Sequence, residues 1–214
     1  MPEPAAPGPF SADGLWADGW LRAARRCPSP NVGERPPGMA VELLVIHSIS
    51  LPPGQYGGDH VQRLFTNTLD CDAHPYFRPL RGLQVSAHFF IRRTGELWQF
   101  APVQARAWHA GASLWQGRAQ CNDFSLGVEL EGLEHQPFEP AQYAALAALC
   151  QRLPAVCPQL RAVAGHEHIA PGRKQDPGRA FDWPRLAGDL RASGLHWQGP
   201  PGLSWPDEAA PPQA

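Results

Sequence analysis

The chain has 214 residues, 43% of them hydrophobic, and its 20 acidic side chains nearly balance 18 basic ones for a formal charge of -2. This is enough apolar material for one sizeable core, and the balance excludes a global field that would draw the protein onto nucleic acid or an anionic membrane. Five cysteines, an odd number with no Cys-x-x-Cys pair, predict reduced thiols rather than a disulfide framework or a cysteine zinc knuckle.

Residues 1–14, MPEPAAPGPFSADG, are rich in Pro, Ala and Gly and predict a mobile tail without the basic start or apolar run of an export signal. Trp16 and Trp20 follow, ahead of a proline-broken loop, in a segment expected to lie over a core built by others. AVELLVIHSIS at 40–50 has the apolar, β-branched content of a buried strand, expected to stop near His47 because SLPPGQYGG comes next. DHVQRLFTNT at 59–68 predicts a short helix and CDAHPYFRPLRG a long irregular connection. QVSAHFFIRRTGELWQF at 84–100 predicts a hairpin turning at Thr94-Gly95, and VQARAWHAG a strand end or loop. SLGVELEG at 125–132 predicts a strand, EPAQYAALAALCQRL at 139–153 a packed helix, and LRAVAGH at 160–166 another strand. DWPRLAGDL at 182–190, with proline in its first turn, predicts a closing helix, and 194–214 a Pro/Ala-rich tail. Irregular alternation with a hairpin inside predicts the mixed α/β class: one domain over 15–193, with a central mixed β-sheet flanked by helices.

His47 and His166 each end an apolar run where the chain turns polar, and Asp176 follows within GHEHIAPGRKQDPG at 165–178. Two imidazoles and a carboxylate suit zinc, with a fourth position left for water. His168 is a rival ligand, since on an extended segment it shares a face with His166, whereas Asp176 requires the loop to fold back. The bland alternative for His47 is a core histidine satisfied by a carbonyl. His88 reads as a core or supporting histidine and His109 as a pocket wall. Lys174, the only lysine in the chain, stands two residues before Asp176, where an ammonium can hold negative charge on a carbonyl oxygen, unless it is simply a solvated loop lysine. Glu129 alternates with Val128 and Leu130, so it projects to the opposite face, where a carboxylate can move a proton. Glu131 shares that face and periodicity does not choose between them, although Glu129 lies nearer the strand's middle and costs more to bury without a purpose.

VIHSISLPPGQYGG, VSAHFFIRRTGELWQF, AWHAGASLWQGRAQCNDFSLGVELEG and VAGHEHIAPGRKQDPGRAFDW occur in order over roughly residues 18–190. Together they resemble the zinc-dependent N-acetylmuramoyl-L-alanine amidase family, in particular its cytoplasmic members that act on 1,6-anhydro-muropeptides, with a fold related to T7 lysozyme and peptidoglycan recognition proteins. The resemblance implies one Zn2+ per chain on His47, His166 and Asp176, with Glu129 as proton handler and Lys174 as stabiliser of the carbonyl oxygen. His168 becomes a lining residue that does not bind metal, and Cys121 a structural thiol. The implied reaction is hydrolysis of the amide between the lactyl group of (1,6-anhydro-)N-acetylmuramic acid and L-alanine, in cytoplasmic peptidoglycan recycling. The implied partners are muropeptides, small molecules; the charge balance and the lack of a long apolar run predict neither nucleic acid nor membrane, and a monomer is the default expectation. Trp98, Trp108 and Trp115 offer surfaces for a sugar ring, and Arg92, Arg106 or Arg118 for peptide carboxylates. Ser48 and Gln120 depart from the asparagine and arginine often found there, the second weakening a contact to the stem peptide. The alternatives are an amidase acting also on intact peptidoglycan, a muropeptide-binding module without catalysis, and a structural zinc site, which would need four protein ligands.

Overall fold

The structure, a computed structural model, describes residues 14–203, so the predicted N-terminal tail lies almost entirely outside the described residues. Six strands form the central sheet: β1 (Arg25–Arg26), β2 (Leu43–Ile49), β3 (Phe89–Ile91), β4 (Leu97–Gln99), β5 (Ser125–Glu131) and β6 (Ala162–Gly165). Their spatial order is β6-β2-β5-β3-β4-β1. The first four in that order run parallel, β3 and β4 form the predicted antiparallel hairpin, and β1 runs parallel to β4 at the edge. All seven residues of β5 are buried, as expected of a parallel strand covered on both faces.

Strand alternation divides the interior. Leu44 and Ile46 of β2, with Leu126, Val128 and Leu130 of β5, enter the larger core together with α2 (Pro140–Arg152) and α4 (Trp183–Ala192). Leu43 and Val45 enter the opposite layer beside Trp115, Phe124 and Ile169. Each such side chain contributes about 1.5–3 kcal/mol when fully buried, so a slip of one residue, which would invert every side chain, is strongly disfavoured. His47 and Glu129 are thereby fixed on the face away from α2 and α4. α2 opens with Pro140 and a reciprocal capping box between Glu139 and Gln142, and buries Tyr143, Leu146, Leu149 and Cys150. α4 is capped by Asp182, whose carboxylate accepts from the Arg185 amide at 3.0 Å.

Four local differences have physical causes. β2 runs two residues past His47, because Ser48 and Ile49 still pair with Leu130 and Glu131. After α1 (His60–Phe65), the connection at 71–82 contains a 3-10 turn over Pro75–Leu80 that buries Phe77. Trp16 does not lie over the core but is part of it, 1% exposed. Residues 194–203, placed in the tail by composition, pack against the body: Trp197 is buried and Gln198 forms a parallel bridge to Ala162 beside β6. The remainder of that tail lies outside the described residues.

Candidate active site

The register of the sheet builds one row of functional side chains. Glu129 of β5 pairs with His47 of β2, and Gly165 of β6 pairs with Ile46, so His166, the first residue of α3 (His166–Ile169), follows directly at the end of the neighbouring strand. Paired residues on adjacent strands face the same side, which sets Glu129 beside His47. Asp176 arrives by a fold-back: the Glu167 amide donates to the Asp176 carbonyl at 2.9 Å, and Pro177 packs over Gly165, where a β-carbon would meet the Pro177 ring at 2.7 Å. The Nδ1 atoms of His47 and His166 lie 3.0 Å apart, and Oδ2 of Asp176 is 3.0 Å from each. This is the one His/Cys/Asp/Glu cluster with metal-ligating geometry among the described residues.

The surrounding hydrogen bonds assign the protons. The Ser125 hydroxyl donates to the Cys121 carbonyl, so it accepts from Nε2–H of His109 at 3.2 Å. Nδ1 of His109 is then an acceptor and takes the Nε2–H of His47 at 3.0 Å. Nε2–H of His166 donates to the Ala110 carbonyl at 3.0 Å. Both Nδ1 atoms are therefore bare, and with a carboxylate oxygen they present three electron pairs to one point. Burial pushes the His47 imidazole down to about 4 against the opposing influence of Asp176, so it is neutral at pH 7. Three converging lone pairs repel one another unless a cation sits between them, and two imidazoles with one carboxylate are a donor set that zinc accepts. The residues fit that ion, and three protein donors leave a coordination position open, unlike a closed structural site.

These donors line a cavity of about 360 Å³ that also contains Glu129 and Lys174. The Glu129 carboxyl is raised well above its ordinary value, first by burial and then by Asp176, with Lys174 acting in the opposite sense. Its Oε2 is buried without a hydrogen-bond partner among the described residues. Glu131, by contrast, is spent on structure: Oε1 accepts from the Gly57 amide at 2.7 Å and Oε2 from the Arg93 amide at 3.0 Å. Lys174 is exposed at the cavity mouth.

Other sequence expectations fall differently. His168 does not line the cavity; its Nδ1 accepts from the Gly165 amide at 2.9 Å and its ring meets Trp183 edge-on. His88 is a core histidine between the Gly127 amide and the Ala105 carbonyl. Cys121 is fully buried. None of Trp98, Trp108 and Trp115 lines the cavity; Tyr76, 42% exposed, is the aromatic side chain at its rim. Arg92, Arg106 and Arg118 are held by Glu96, Asp123 and Glu42 and also lie outside the lining. Ser48 lines the cavity, while Gln120 sits exposed on a turn at φ 62° away from it. The supporting role of His109 is not legible in the sequence. Its trace is Gly127, where a β-carbon would strike the His109 ring at 2.6 Å, a reason for glycine inside a buried strand.

The sequence profile described as N-acetylmuramoyl-L-alanine amidase matches residues 37–179. The chain is 54% identical over 169 residues to the 1,6-anhydro-N-acetylmuramyl-L-alanine amidase AmpD of Salmonella typhimurium strain SL1344, covering 78% of this chain and 90% of that one. A crystal structure of a selenomethionine AmpD derivative superposes with a TM-score of 0.80 at 50% identity, covering 82% of this chain and 98% of that one. Escherichia coli AmiD, solved in complex with anhydro-N-acetylmuramic acid-L-Ala-D-γ-Glu-L-Lys, aligns at 31% identity and a TM-score of 0.52, covering 73% of this chain and 60% of that one. The chain belongs to the AmpD family of N-acetylmuramoyl-L-alanine amidases.

Proposed function

We propose that the protein hydrolyses the amide between the lactyl group of 1,6-anhydro-N-acetylmuramic acid and L-alanine of the stem peptide, as the names of its AmpD relatives describe for them. The observation that carries this is the convergence of three bare donor atoms, each 3.0 Å from the other two, in the same row as a buried carboxyl with a free oxygen. The chemistry that one zinc ion supplies when held by His47, His166 and Asp176 is Lewis acidity, which makes water nucleophilic near neutral pH and polarises an amide carbonyl. Glu129 then takes the proton of the attacking water on Oε2 and passes it to the L-alanine nitrogen as the C–N bond breaks. The Lys174 ammonium lowers the energy of the oxyanion that develops on the former carbonyl oxygen. Leu51, Leu64, Leu80 and Val85 supply apolar lining to the same cavity.

The substrate is a small muropeptide met by a monomer. No described helix is long and apolar enough to cross a membrane, and the resemblance to cytoplasmic recycling enzymes supports a cytoplasmic place of action. The test is release of free peptide from anhydro-N-acetylmuramyl-tripeptide, with metal content measured on the same sample, after chelation and after zinc is restored. Turnover that disappears and returns with zinc supports the assignment. One bound zinc with no peptide released points instead to a binding module or another amide substrate.

A further inference from the structure

Glu131 is the second carboxylate on the catalytic face of β5, two residues beyond Glu129, and it is buried to 4% exposure. It does not line the cavity. One oxygen accepts from the Gly57 amide at 2.7 Å and the other from the Arg93 amide at 3.0 Å, while the Arg92 guanidinium approaches to 3.6 Å. A single carboxylate therefore joins two separate segments: the loop 50–58, whose Ser50, Leu51 and Pro53 form part of the cavity wall, and the turn of the β3–β4 hairpin.

The start of the loop is anchored by packing, Leu51 being buried in a cluster with Val61, Leu64 and Phe77 and its carbonyl accepting from His60 Nδ1 at 3.0 Å, whereas residues 53–58 make few other commitments. Ser50 Oγ accepts from the Gly54 amide at 2.9 Å inside the loop itself. The Tyr56 ring lies under the Arg93 guanidinium at 4.7 Å, and its hydroxyl donates to Gln136 at 2.8 Å in an exposed position. Gly57 has φ +79°, a left-handed conformation that points its amide inward and that other residues adopt only with strain. Two hydrogen bonds to a buried charged group are the strong restraint here, and the solvent-exposed tyrosine contacts are the weak one.

We propose that Glu131 is a positioning residue that sets substrate affinity by clamping residues 53–58 of the loop onto the hairpin, so that Pro53, beside the core-anchored Leu51, stands as a ready-made wall for the apolar surface of the muropeptide. This rests on the amidase activity proposed above. The clamp touches neither the metal donors nor Glu129, so its loss acts on binding and not on the chemical step.

The test compares Glu131→Gln and Tyr56→Ala with the wild type in the zinc-loaded enzyme, by steady-state kinetics, zinc content and amide hydrogen exchange across 50–58. For Glu131→Gln, KM rises about tenfold, kcat stays within about twofold, zinc content is unchanged, and the amides of 54–58 exchange about tenfold faster. Tyr56→Ala raises KM less, in the same direction. A fall in kcat at constant KM, or unchanged exchange and unchanged KM, overturns the proposal. If Glu131→Gln does not fold, Tyr56→Ala decides, with an unchanged KM overturning the clamp. If the wild type releases no peptide at all, the functional assignment fails while hydrogen exchange alone still decides whether Glu131 holds the loop.

Discussion

Along one side of the cavity, His47, Glu129 and His166 sit in or directly after adjacent parallel strands, whereas across from them Leu51, Pro53, Tyr76 and Leu83 come from connections between elements. The strand side is placed by a register that the two cores enforce from both faces. On the loop side only Leu51 is packed into an apolar cluster, Pro53 belongs to a loop held by a few hydrogen bonds, and Tyr76 and Leu83 are 42% and 44% exposed. In the proposed mechanism, chemistry is thus carried by the part of the molecule with the fewest alternatives, and substrate contact by the part that is easiest to change. Such a division predicts that substitutions on the strand side abolish metal binding or slow the chemical step, and that those on the loop side act through KM.

The largest effect is expected from His166→Ala. Removing one of three donors loses zinc from the purified protein, and turnover falls by at least about a thousandfold, measured with metal content on the same sample. A variant that kept both metal and activity would break the comparison at its strongest point. Glu129→Gln comes next: the amide cannot accept the water's proton, so kcat falls about 10²–10⁴-fold with zinc retained. Lys174→Met is expected to lower kcat by about 10²-fold with little change in KM, and a change confined to KM would move Lys174 from the chemistry to the wall.

A subtler sharpening lies behind the donors. His109→Ala deprives the Nε2–H of His47 of its acceptor and is expected to weaken zinc affinity about 10–100-fold, measured by competition with a chelator. The smallest effect concerns stability. Burial, with Arg35 adding to it, pushes the His88 imidazole down to about 3, whereas an unfolded histidine titrates near 6.5. Between those values the unfolded chain holds a proton that the folded chain does not, so stability falls as pH drops from about 6.5 towards 3. Denaturant unfolding of wild type and His88→Asn between pH 7 and 5 checks this: the pH dependence of the variant is shallower by up to about one proton.

Much of this was legible in the residues. The continuous apolar run in VELLVIHSI and the alternation in SLGVELEG located two central strands, and the Pro-bearing starts of α2 and α4 located two helices. Glu129 and Glu131 show where legibility stopped. Their period-two spacing placed both on one face, but only the approach of Gly57 and Arg93, distant in sequence, separates the engaged carboxylate from the free one. His166 and His168 show the same limit: an extended chain would have aimed both at one site, whereas the chain turns helical at His166 and His168 folds back onto the Gly165 amide.

By itself, the sequence determined the kinds of element, their apolar faces and the kinds of chemistry available, because periodicity, turn residues and side-chain type act over a few residues. Side-chain types and spacing left open which donors converge, a set the family resemblance named and the tertiary structure brings together; tertiary structure alone decided which proton each imidazole carries and which arginines and tryptophans are already engaged elsewhere. The donor pairs lie 10 to 129 residues apart in the chain, and only the sheet register and the packing of both its faces bring them to 3.0 Å of one another.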